Sequence, residues 1–94
     1  MYRRAVRFTD VSSDRIDQLI ARINEAGGPP PGVRSTGIKL LFDASRGTAL
    51  VIQEFATAED MRDAAAVFDA MDASETPCTR VSVDECELKL DRQA

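Results

Sequence analysis

The feature that most restricts how this chain can fold is the spacing of its apolar residues, which changes from every second residue to every third or fourth and back, twice over. Residues 2 to 8 alternate as a strand does, with Arg4, Val6 and Phe8 on one face and Arg3, Ala5 and Arg7 on the other. Ile16, Leu19, Ile20 and Ile23 then recur at helical spacing. Ser12 or Ser13 supplies an N-cap, Asp14 sits near the positive end of the helix dipole, and Gly27 followed by prolines 29 to 31 ends the helix. Alternation returns from Val33 to Asp43, where Ile38, Leu40 and Phe42 share one face and Leu41 lies on the other. Residues 43 to 47 read as a hairpin loop in which Gly47 takes positive φ, and Thr48 to Phe55 is the third strand. Thr57 and Asp60 form a capping box for a second helix with the stripe Met61, Ala64, Ala65, Phe68 and Met71. In the last strand Val81 and Val83 are odd whereas Cys86, Leu88 and Leu90 are even. This phase change predicts a β-bulge near Asp84-Glu85, before a polar tail that frays from Asp91.

The order βαββαβ predicts an α+β, ferredoxin-like fold, an antiparallel sheet carrying two helices on one face. At 94 residues the chain forms one domain, 1–94. Its third strand contains Ala49-Leu50-Val51-Ile52, apolar on both faces, and the helices cover only one of them. At about 25 cal/mol per Å2 of apolar surface, leaving the other face wet forfeits much of a small domain's stability. A second copy packed sheet against sheet is the expected cover, making the chain a homodimer.

The net charge of -4 argues against nucleic-acid and anionic-membrane partners, which need a basic face. The cluster Arg3, Arg4 and Arg7 is split by the strand between two faces. No apolar run is long enough to span a membrane, and no signal-like stretch follows Met1-Tyr2-Arg3-Arg4, so a cytoplasmic location is expected. Cys78 and Cys86 lie in one extended segment, about 26 Å apart at about 3.3 Å per residue, too far for a disulfide and consistent with a reducing compartment.

The chain contains no His, which excludes Ser-His and Cys-His nucleophilic machinery and removes the usual general base. No Cys-x-x-Cys pair or Asp-x-Asp loop is present, so neither a metal nor another cofactor is expected, and no catalytic residue is assigned. The loop from Gly27 to Gly32 lacks the Lys-Ser/Thr of a phosphate loop and reads as a connector. Asp84 and Glu85 point to opposite faces of a strand and read as a solvated bulge. Cys86 reads as a small buried hydrophobe, and Tyr2, the only phenol, as a ring buried at the dimer interface. Arg4 and Gln53 stand out because each is polar in an otherwise apolar strand phase, shared with Val6 and Phe8 or with Val51 and Phe55. Each either orients a ligand or reaches a sheet edge or the partner subunit.

Met1-Tyr2 with Arg4 and Phe8, Asp14-Arg15-Ile16-Asp17, Pro31-Gly32-Val33, Leu40-Leu41-Phe42-Asp43, Arg80-Val81-Ser82-Val83 and Cys86-Glu87-Leu88 follow one another in an order found elsewhere. In this order nearly the whole chain resembles small proteins of the dimeric α/β-barrel superfamily, akin to the antibiotic-biosynthesis monooxygenase group and its small actinobacterial members. That resemblance implies a homodimer and, in the monooxygenases, oxidation of aromatic polyketides by O2 without metal or flavin, in a pocket between sheet and helices. The chain departs from the pattern after strand three, where Phe55-Ala56-Thr57 stands in place of Trp-Glu-Ser, and it lacks the His by which haem-degrading relatives hold iron. The expected function is accordingly a dimeric barrel that binds a small apolar or aromatic ligand, with Arg4, Gln53, Phe55 and Phe68 as its candidates. The alternatives are a cofactor-independent monooxygenase acting on an aromatic polyketide-like substrate, which asks the protein mainly for desolvation and positioning, and a self-association or partner-binding module.

Overall fold

The computed structural model describes residues 1–29, 31–69 and 79–93. Within them the elements are β1 (Tyr2–Thr9), α1 (Ser13–Ala26), β2 (Gly37–Asp43), β3 (Thr48–Phe55), α2 (Ala58–Asp69) and β4 (Thr79–Glu87). The strands form one antiparallel sheet in the order β2-β3-β1-β4, the ferredoxin-like arrangement that the apolar spacing predicts.

Local chemistry sets most boundaries. Ser12 is the cap, its hydroxyl accepting from the Arg15 N–H at 3.2 Å, and Gly27 closes α1 at φ 69°. At the other helix start the Asp60 N–H donates to Thr57 Oγ1 at 3.1 Å. In the hairpin, Asp43 Oδ1 accepts from the backbone N–H groups of Ser45 and Arg46 at 3.1 and 3.2 Å, and Gly47 takes φ 64°.

Three expectations are corrected. Strand β2 begins at Gly37 rather than Val33, because Ser35 Oγ accepts from the Gly37 N–H at 3.3 Å and donates to the Gly37 carbonyl at 2.8 Å, competing with the ladder. Val33 is nonetheless buried against α2, and Gly32 permits this: at φ 86°, any Cβ there would meet Val67 Cγ2 at 3.3 Å. No bulge falls at Asp84-Glu85, since β4 pairs with β1 without a slip from Ser82 to Glu87. The register shifts instead between Arg7 and Phe8, where Val81 is the extra residue and is exposed. Cys86 consequently faces away from the helices as an exposed free thiol, and Leu90 lies beyond the strand, also exposed. Met71 and Cys78 lie outside the described residues.

The register defines two faces. Tyr2, Arg4, Val6 and Phe8 of β1 stand beside Phe55, Gln53, Val51 and Ala49 of β3 on the helix-covered face. Two buried clusters hold the helices there. Val33, Phe55, Met61 and Ala64 gather with Tyr2, Val67 and Phe68 under α2, and Val11, Ile16 and Ala49 gather with Phe8, Leu40 and Phe42 under α1. The α1 stripe is covered only in part, because Ile16 is buried while Ile20 remains exposed. The opposite face carries Leu41, Leu50, Ile52 and Ala5, with Leu41 50% exposed.

Candidate functional site

The four candidate residues come together on the helix-covered face, Arg4 and Gln53 in one row of the sheet and Phe55 and Phe68 in the α2 cluster beside it. Arg4 and Gln53 are cross-strand partners on β1 and β3, and the pleat turns both toward the helices. The Arg4 side chain is only 4% exposed, and its Nη1 donates to Gln53 Oε1 at 3.4 Å. Phe68, carried in by α2, places its ring centroid 5.0 Å from the guanidinium carbon, within range of a cation–π contact. Phe55 is fully buried and packs in the same cluster as Phe68, held there by pairing with Tyr2. Arg4 stands on an inner strand, between β3 and the edge strand β4.

A fifth residue belongs to this group. The register of β4 sets Glu85 directly opposite Arg4, on the side away from Gln53, with Glu85 Oε1 4.0 Å from Arg4 Nε. Three side chains therefore run across β3, β1 and β4 in the order amide, guanidinium, carboxylate. The expectation of Glu85 in a solvated bulge is corrected: its odd phase, shared with the half-buried Val83, places it on this face. At 37% exposure its side chain forms the wet end of a row in which Arg4 is buried and Gln53 partly buried. A buried guanidinium has given up its hydration, and hydrogen bonding or pairing must replace it. The arrangement can thus offer N–H donors at Arg4, an acceptor at Glu85 and aromatic surface at Phe68 and Phe55 to a molecule placed between sheet and helix.

Tyr2, expected at a subunit interface, is partly buried and packs against the Phe55 cluster of its own protomer. Among the described residues no group of three His, Cys, Asp or Glu side chains converges as a metal would require. The opposite face bears its own charges: Glu54 lies between Arg3 (3.6 Å) and Lys39 (2.7 Å). The hydrogen bond from Lys39 holds the Glu54 carboxyl below its ordinary value; desolvation opposes this and the charges of Arg3 and Lys39 assist it. Asp43 is lowered likewise, first by the Ser45 hydroxyl, against desolvation and with help from the Arg46 and Ser45 N–H groups. A shallow concavity of about 220 Å3 lies at the β2–β3 hairpin, lined by residues that include Arg7, Leu41, Asp43, Arg46 and Leu50, away from Arg4.

A βαββαβ sheet with one helix-covered face, an aromatic-walled guanidinium on that face and an apolar face left open defines a protein of the ferredoxin-like α+β class. Among solved structures the chain is similar to a Deinococcus radiodurans protein provisionally assigned as an antibiotic biosynthesis monooxygenase: TM-score 0.61 and 15% identity, over 100% of this chain and 98% of that one. The likeness is one of fold and extends over the full length, in agreement with the resemblance seen in the sequence. No protein-family model matches the chain, and no curated protein matches it. No helix among the described residues is long and apolar enough to cross a membrane.

Proposed function

We propose that the chain is a homodimeric barrel that binds a small aromatic or apolar molecule between its sheet and α2, using Arg4 and Gln53 to orient it and Phe55 and Phe68 to enclose it. The observation that carries this reading is the 4% exposure of Arg4 in an apolar layer, under the Phe68 ring and beside an amide rather than a carboxylate on β3. A guanidinium there provides polar specificity inside apolar surface, the composition typical of small-molecule sites. Dimerisation is supported by the half-exposed Leu41 and its neighbours Leu50 and Ile52 on the open face, which a second sheet would cover. A cofactor-independent monooxygenase is the second reading, favoured by the full-length likeness in fold to the Deinococcus protein.

Calorimetric titration with 1-hydroxy-2-acetonaphthone, followed in an oxygen electrode, tests both readings. Saturable binding at one site per protomer, lost in Arg4→Met while circular dichroism is retained, is expected. Steady oxygen consumption would favour the second reading, and undiminished binding by Arg4→Met would overturn the assignment of the site.

A further inference from the structure

We propose that the hollow at the β2–β3 hairpin is a second ligand site, separate from Arg4, which takes a small monocarboxylate with an apolar body. The register sets Leu41, Leu50 and Arg7 side by side across β2, β3 and β1 on the open face. With Arg46 from the turn they line a concavity of about 220 Å3. Its floor is apolar, with Leu41 half-exposed, and two guanidiniums stand beside that floor. The volume falls below the about 300–1,000 Å3 of pockets for drug-sized molecules, so it suits a ligand with one ring or a short chain.

The charges decide the occupant. On the same strand and face Arg3 has Glu54 at 3.6 Å, whereas Arg7 stands between the uncharged Leu50 and Ser82 and makes no ion pair or hydrogen bond among the described residues. The Arg46 guanidinium has Asp43 Oδ2 at 3.9 Å, near the outer limit of an ion pair. The other oxygen of Asp43 is committed to the turn, where it accepts from the Ser45 hydroxyl at 2.6 Å and from the Ser45 and Arg46 N–H groups. The hollow thus sets two guanidiniums against one carboxylate, a local positive excess on a chain of net charge -4. A ligand carboxylate matches the forked donors of Arg7 and Arg46, and its hydrocarbon covers Leu41 and Leu50. An inorganic anion would leave that floor wet, and a neutral molecule would leave the guanidiniums unmatched. Ile52 and Ala5, one row further from the hairpin, stand outside the hollow and remain for a second copy to cover.

The test titrates the isotope-labelled, full-length protein with phenylacetate and with phenylacetamide, which has the same shape and no charge, and follows both by NMR. Phenylacetate is expected to shift the Leu41 and Leu50 methyls and the backbone amides of the hairpin saturably, and to bind about tenfold more tightly than the amide, a difference of about 1.4 kcal/mol. Arg7→Gln and Arg46→Gln should each remove most of that preference, and Leu50→Ser should weaken both probes. Arg3→Gln, on the same strand and face as Arg7, serves as a control for general charge and should leave the preference in place. Absence of saturable phenylacetate binding, equal affinity for the two probes, an unchanged ratio in both Arg7→Gln and Arg46→Gln, or an equal loss in Arg3→Gln overturns the proposal. Shifts that gather instead at Gln53 and the Val6 and Val51 methyls overturn it too, while supporting the site at Arg4.

Discussion

The two faces of the sheet treat a positive charge in opposite ways. Arg3 and Arg4 are neighbours in β1, so the pleat sends them to different faces, and each meets a β3 side chain across the ladder. On the open face Arg3 is opposite Glu54, 3.6 Å away, with Lys39 on the other side of the same carboxylate. On the covered face Arg4 is opposite Gln53, and the carboxylate near it is Glu85 at 4.0 Å on the edge strand. The Glu54 cluster is a charge network spanning three strands, of the kind that solubilises and aligns a sheet. The Arg4 row keeps a cation where water is scarce, with a neutral amide across the ladder on one side and the Glu85 carboxylate on the other. Burial and the choice of partner, and not the presence of charge, distinguish the covered face and make it the proposed site.

The largest contrast should appear in core truncation. Phe55→Ala removes the fully buried ring under α2 and is expected to lose about 3–5 kcal/mol in urea unfolding, whether or not ligand is present. Leu41→Asp on the open face removes no core contact of its own protomer, and its expected effect is on assembly: sedimentation should shift from dimer to monomer while circular dichroism is kept. If Leu41→Asp instead unfolds the chain at every protein concentration, the open face is part of the protomer's own core and the contrast fails. Thr57→Ala, which deletes the cap that receives the Asp60 N–H, should cost about 1 kcal/mol and weaken ligand binding only through the population of α2, which carries Phe68.

The smallest effect concerns acid. Glu54 is held below its ordinary value of 4.5 chiefly by the Lys39 hydrogen bond, so its folded form binds protons less readily than its unfolded form. The stability it contributes is present above that ordinary value and is lost as pH falls through the lowered folded value. Glu54→Gln should therefore flatten the decline of stability below pH 4.5, measured by urea midpoints across a pH series, and leave the neutral-pH affinity of the Arg4 site unchanged. A matching change in ligand affinity would show that the two faces are coupled.

Much of this was legible in the sequence because it is written in local patterns. Ser12, Thr57, Gly27 and Gly47 act through hydrogen bonds and backbone preferences within a few residues of themselves, and the alternation of β1 and β3 fixes which side chains share a face. Arg4 and Gln53 were visible as polar residues in an apolar phase. What sequence could not fix was the pairing of β4, a long-range property: whether the extra residue is Val81 or falls at Asp84-Glu85 decides where both Cys86 and Glu85 point. With the shift at Val81, Cys86 turns outward and Glu85 turns toward Arg4, so the same misplaced bulge concealed the carboxylate and misjudged the thiol. The start of β2 was missed for a different reason, since Ser35 interrupts an alternation that looks continuous.

The proposed function requires a small molecule on the covered face at Arg4 and another copy on the open face. Side-chain NMR of the isotope-labelled protein, titrated with 1-hydroxy-2-acetonaphthone, tests it most directly. The Arg4 Nε–H, the Gln53 side-chain amide and the Val6 and Val51 methyls are expected to move together while the Leu41, Leu50 and Ile52 methyls stay in place. Movement confined to Leu41, Leu50 and the β2–β3 hairpin would contradict it, placing the ligand on the open face and leaving Arg4 as a structural cation.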